Sequence, residues 1–93
     1  MDIGPGVGAA IVHTPEEMLD LEIEYRVRGG DWAEKHMAVR ERLGAESVQF
    51  AAVFGPLPAG HYEFRVRGSR SKVPTLTLQI PEASVTSSHW PDE

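Results

Sequence analysis

Histidine is the residue type most often found ligating a transition metal, and this chain has four, His13, His36, His61 and His89. His61 and Glu63 are two apart in an alternating run, so they share one strand face. His36 lies on the polar face of a separate run. A zinc site needs three or four N or O ligands converging at about 2 Å. If a metal binds, His36, His61 and Glu63 are the expected ligands. The plainer reading is four independent surface histidines, because no His-x-His or His-Glu-x-x-His spacing is present. The chain has no cysteine, which excludes disulfides, thiolate zinc sites and thiol nucleophiles. Ser47, Ser69, Ser71, Ser84, Ser87 and Ser88 lie in no Gly-x-Ser-x-Gly elbow. No catalytic residue and no cofactor is therefore expected.

A second chemistry is anion binding. Arg65, Arg67, Arg70 and Lys72 place four cations within eight residues, beside Gly68, Ser69 and Ser71. Such a loop can receive a phosphate or carboxylate; the competing reading is a solvated basic loop. No Gly-x-x-x-x-Gly-Lys-Ser/Thr pattern accompanies it. Gly4-Pro5-Gly6-Val7-Gly8 precedes a strand instead of following one, so it is not a dinucleotide fingerprint. It reads as part of a flexible arm. The third chemistry is sugar stacking on Trp32, after a Gly-Gly-Asp turn, and on Trp90, at the end of the last run. The alternative is that both indoles plug the ends of a core, since Trp is highly buried on average.

The elements that hold these residues are strands. Leu19, Leu21, Ile23, Tyr25 and Val27 alternate with Asp20, Glu22, Glu24, Arg26 and Arg28. Period-two patterning of this kind puts the apolar set on one face and the charges on the other. The same alternation recurs at Tyr62, Phe64 and Val66 and at Leu76, Leu78 and Ile80. Val48, Phe50, Ala52 and Phe54 form a further set in which the intervening Ala51 and Val53 are also apolar, as in a strand covered on both faces. A weaker run begins at Met37 and Val39. Ala9 to His13 and Ala83 to Trp90 supply the first and last strands. The charges of 22–28 are expected opposite Glu63, Arg65 and Arg67, or opposite Arg40 and Arg42. Each opposite-charge pair is worth roughly 0.2–1 kcal/mol. Gly and Pro clusters at 29–31, 44–46, 55–60, 68–71 and 81–82 stop the runs. Thr14-Pro15-Glu16-Glu17 reads as a capping box, which predicts one helical turn near 15–19. About seven short strands at this spacing predict an all-β, immunoglobulin-like or prealbumin-like antiparallel sandwich.

The segment Phe54-Gly-Pro-Leu57-Pro58-Ala59-Gly60-His-Tyr62-Glu-Phe64-Arg-Val66 resembles the corner motif of prealbumin-like modules. These include the carboxypeptidase regulatory-like domains and the B-type repeats of collagen adhesins. The resemblance covers about thirteen residues and implies a sandwich fold, with Tyr62 burying its ring while its hydroxyl reaches backbone. The same tyrosine fits a fibronectin-type tyrosine corner, with the leucine one place out of register. Departures are the Thr14-Pro15-Glu16-Glu17 entry and the absence of asparagine, which rules out an Asn-linked isopeptide. As a whole the chain resembles small bacterial β-sandwich proteins, a likeness that implies no particular activity.

The composition is that of one small domain. The 93 residues are 41% hydrophobic and 25% charged, with net charge −5; a chain this size buries about 64% of its unfolded surface. The expected division is an N-terminal arm over 1–8, one sandwich over 9–90 and a tail over 91–93. Charge is uneven: residues 1–24 hold six acids and no Lys or Arg, 25–72 hold nine bases against five acids, and 73–93 hold three acids and no bases. Acidic flanks argue against a nucleic-acid surface. No run approaches the eighteen or so apolar residues of a membrane helix. An acidic N-terminus without a basic n-region makes cytoplasm the default location. The expected function is that of a non-catalytic interaction or accessory module, binding a protein partner or forming a homodimer. The alternatives are a small-ligand or metal-binding protein or enzyme, and a carbohydrate-binding module.

Overall fold

Eight strands and one 3-10 turn make up the computed structural model, which describes residues 4–32, 36–44, 47–68 and 75–91. They are β1 (Val7–His13), the turn (Glu16–Met18), β2 (Glu22–Val27), β3 (His36–Ala38), β4 (Arg40–Leu43), β5 (Val48–Pro58), β6 (Gly60–Val66), β7 (Leu76–Ile80) and β8 (Val85–His89). Two four-stranded sheets form, in the orders β4-β5-β1-β8 and β3-β2-β6-β7. They pack face to face as an all-β sandwich. The ladders are antiparallel except β1–β8, which runs parallel from Ala9 opposite Val85 to His13 opposite His89. Among the described residues, no helix is long and apolar enough to cross a membrane.

The core lies between the sheets and follows the alternation. Ala10 and Val12 of β1, Ala52 and Phe54 of β5, Ile23 of β2, Tyr62 and Phe64 of β6 and Ile80 of β7 are buried together. Phe54 meets Phe64 edge-on at 5.0 Å and Tyr25 at 5.7 Å, the geometry aromatic quadrupoles favour. The aromatic cluster thus joins the two sheets directly.

Six local readings change. The weak run through Met37 and Val39 is two strands, not one. β3 pairs with β2 and β4 with β5, in opposite sheets, and Val39 is the fully buried residue between them. Its N–H donates to the Leu21 carbonyl and its own carbonyl accepts from Asp20 N–H. Leu21 N–H turns back to the Met18 carbonyl at 3.0 Å, and the strand expected from Leu19 starts at Glu22. Asp20 is left-handed at φ +70°, and Leu19 and Leu21 are 38% and 41% exposed.

The capping box does not form. Thr14 N–H is tied to the Phe50 carbonyl at 2.9 Å, its hydroxyl donates to the Pro15 carbonyl, and Pro15 occupies the cap position with no side-chain bond. The turn is three residues long and held by i→i+3 bonds, from Met18 N–H to Pro15 O and from Leu19 N–H to Glu16 O.

At the corner expected over 55–60, β5 instead continues to Pro58, leaving Ala59 alone between strands. Gly55 makes this possible. At φ +135°, with Ala9 Cβ only 2.8 Å from where a Cβ would sit, it lets β5 bend across β1. At the N-terminus, β1 begins at Val7, two residues earlier than expected. Gly6 N–H donates to Glu82 at 2.8 Å, so residues 6–8 belong to the sandwich. The last strand is shorter than the expected 83–90, because Ala83 turns at φ +53°.

Candidate functional site

The outer face of the β3-β2-β6-β7 sheet carries the charged ladder. Arg26 stands opposite Glu63 and Glu24 opposite Arg65, and each pair closes, Arg26 Nε to Glu63 at 2.8 Å and Arg65 Nε to Glu24 at 3.0 Å. Arg67 reaches Glu22 at 3.5 Å. Of the two partner strands expected for these charges, β6 is the one found; Arg40 and Arg42 lie in the other sheet. Arg40 pairs with Asp20.

This pairing decides what the anticipated ligands are free to do. The His36 ring is engaged at both nitrogens, Nδ1 with Glu22 at 3.1 Å and Nε2 with the Arg67 guanidinium. A neutral imidazole protonated at Nδ1 satisfies both contacts. Glu63 accepts from Arg26 and from Gly29 N–H at 3.2 Å. His61 stands opposite Gln79, two positions along β6 from Glu63. The three are not brought together, and no group of three or more His, Cys, Asp or Glu among the described residues is placed to hold a metal. The anion reading meets the same obstacle: Arg65 and Arg67 already serve carboxylates, while Arg70 and Lys72 lie outside the described residues.

Glu63 titrates below the ordinary carboxylate range. The Gly29 N–H bond is the largest cause, burial opposes it, and the hydrogen bond and charge of Arg26 add to the lowering, with Arg28 contributing charge. A depressed carboxylate stabilises the fold above its unfolded value of about 4.3 and loses that contribution as pH falls through the folded value. Glu63→Gln is therefore expected to lower Tm at neutral pH, with the deficit against the parent shrinking below about pH 4. A deficit unchanged down to about pH 3 would assign the effect to shape and not to charge.

The two tryptophans have different settings. Trp90 packs against the core, as an end plug does. Trp32 lies on the polar face, with the Arg65 and Arg26 guanidinium carbons 4.0 and 4.5 Å from its ring centre. It covers both inner ion pairs, and a sugar stacking on it competes with those cations.

Tyr62 behaves as its corner motif implies. The ring is buried and the hydroxyl donates to the Pro58 carbonyl at 2.6 Å. Burial raises the phenol above its ordinary range, with Tyr25 adding to the rise, so the donor persists.

Two further features were not anticipated. First, His13 and His89 stand side by side on β1 and β8, ring centres 5.3 Å apart. They border a concavity of about 440 Å³ lined also by Thr14, Val48, Gln49 and Phe50. Second, the inner face of the β4–β5 hairpin extends past the core. Val48 is two residues from the core-packed Phe50 and opposite Leu43, so both side chains face the core side. Yet Leu43 is 87% and Val48 46% exposed. Glu16, Glu17 and Leu19, with Glu41 from β4, close this overhang into a concavity of about 630 Å³ floored by Val48 and Phe50. Alternation marked Val48 as a core residue; only the positions of the sheets reveal that nothing among the described residues covers it.

Comparison with protein-family models, with curated proteins and with solved structures finds no match to this chain.

Proposed function

We propose that this chain is a non-catalytic protein-interaction module of prealbumin-like type, docking its partner on the β4–β5 overhang. Two observations support the fold type. The Tyr62 hydroxyl bonds to the Pro58 carbonyl within the resembling segment. In addition, β1 and β2 fall in opposite sheets, whereas constant-type immunoglobulin sandwiches keep their first two strands together.

The observation that carries the function is the overhang itself: apolar Leu43, Val48 and Leu19 exposed beside Phe50, rimmed by Glu16, Glu17 and Glu41. Contiguous exposed apolar surface with a polar rim marks a binding surface. Its charge selects the occupant, a partner segment with apolar side chains flanked by Lys or Arg. A second copy meeting this patch about a two-fold axis sets its carboxylates against themselves, on a chain already at −5.

The test is selection of displayed random peptides on the immobilised chain, followed by titration of the best binder. Enrichment of basic-apolar peptides is expected. Leu43→Asp and Glu41→Lys are each expected to weaken binding by about tenfold or more, with Tm unchanged because both residues are exposed. Enrichment of unrelated peptides, or binding indifferent to both changes, overturns the reading.

A further inference from the structure

We infer that His13 and His89 form a two-histidine site for a divalent late transition metal ion. The site is built by topology. His13 ends a central strand, with Ala51 of β5 opposite on one side and His89 of β8 on the other. The Trp90 N–H closes onto the His13 carbonyl at 2.7 Å and Thr14 N–H onto Phe50 at 2.9 Å. Both backbones are therefore pinned just where the two rings emerge.

Inward-facing Ala10 and Val12 set the parity of β1, so His13 projects from the outer face. Residues directly opposite on paired strands share a face, which puts His89 beside it. Two imidazoles bound at about 2.1 Å to one tetrahedral ion have ring centres about 5 Å apart. The pair stands at 5.3 Å, with the ring planes tilted 35° to one another.

The rings are also available. Unlike His36, neither His13 nor His89 makes a side-chain hydrogen bond or ion pair among the described residues. The adjoining concavity gives room for water or an outside ligand at the remaining coordination positions. Imidazole donors, with no carboxylate lining the concavity among the described residues, select Cu²⁺, Ni²⁺ and Zn²⁺ over Mg²⁺ and Ca²⁺, with Cu²⁺ held most tightly. The site stands independently of the docking reading, although the two concavities share Val48 and Phe50.

The experiment uses the full chain carrying Trp32→Phe, which leaves Trp90, adjacent to His89, as the single indole. It is titrated with Cu²⁺ alone, following indole fluorescence, and with Zn²⁺ alone, following amide shifts by NMR. Saturable one-to-one quenching by Cu²⁺ is expected, with Zn²⁺ shifts centred on His13 and His89. His13→Ala and His89→Ala are each expected to weaken the apparent affinity by about tenfold or more. His36→Ala and His61→Ala are expected to leave it unmoved. Circular dichroism on each variant separates lost binding from lost fold. Quenching that never saturates, that survives the double His13→Ala/His89→Ala variant, or that is abolished by His36→Ala or His61→Ala overturns the assignment.

Discussion

Phe64→Ala is expected to destabilise the fold by about 3–5 kcal/mol, the usual cost of removing a buried aromatic ring. The ring is fully buried on β6 and meets Phe54 of β5 edge-on at 5.0 Å. That contact crosses from one sheet to the other, so its loss opens a cavity that both layers line. Neither sheet can close the gap alone, because β6 is held between β2 and β7, and β5 between β4 and β1. A chain of 93 residues has a total stability of roughly 5–14 kcal/mol, so the loss takes a large share of it. Urea denaturation followed by circular dichroism measures it. A midpoint within error of the parent would mean the aromatic contact contributes nothing across the sandwich. The Phe54→Ala/Phe64→Ala cycle is the sharper form, with a coupling of about 0.5–1.5 kcal/mol expected for the pair.

Gly8→Ala is expected to be nearly as damaging, for the opposite reason. Within a strand, alanine ordinarily replaces glycine with a gain of roughly 0.5–1 kcal/mol. Here the new Cβ overlaps the Pro81 carbonyl oxygen and falls 2.9 Å from Ile80 Cγ2 and 3.0 Å from the Ser84 carbonyl oxygen. Two of those atoms are backbone, anchored where Ala83 N–H meets the Val7 carbonyl at 2.7 Å and Ala9 N–H meets the Ser84 carbonyl at 3.0 Å. Relief requires moving the β7–β8 corner off β1, which breaks both bonds. A cost of about 3 kcal/mol is expected, or a Tm lowered by roughly 12–24 °C. Gly60→Ala is the control, since its Cβ meets Tyr62 at an ordinary 3.8 Å. Equal Tm values for the two variants would refute the packing of the corner against β1.

What the sequence made legible was whatever one short window can carry. The alternation at 22–27 and 60–66 holds because its period is local; the pattern admits two alternatives for the strand facing the charges of 22–28, and the fold places β6 there. Tyr62 was legible because its partner, Pro58, is four residues away. Leu19 and Leu21 misled because alternation continues by coincidence through a segment whose backbone turns at Asp20. The divided strand around Val39 was hidden for a related reason: a residue passing from one sheet to the other remains apolar in pattern. His36, His61 and Glu63 are the conditional metal ligands because His61 and Glu63 share a strand face and His36 lies on the polar face of its own run. A face does not say which neighbour claims each side chain, and Glu22, Arg67 and Arg26 claim two of the three. The adjacency of His13 and His89 had no signal in any window, since it depends on pairing strands from opposite ends of the chain.

That same β1–β8 pairing has a mechanical consequence. In a parallel pair, the incoming end of β1 and the outgoing end of β8 point away from each other along one axis. Tension drawn through the two ends therefore acts along the strands, and the five aligned positions from Ala9–Val85 to His13–His89 bear the load together in shear. An antiparallel pairing of the same strands would present its hydrogen bonds to the pull one at a time, as a zipper does. The geometry makes the β1–β8 ladder at one sheet edge a clamp against stretching.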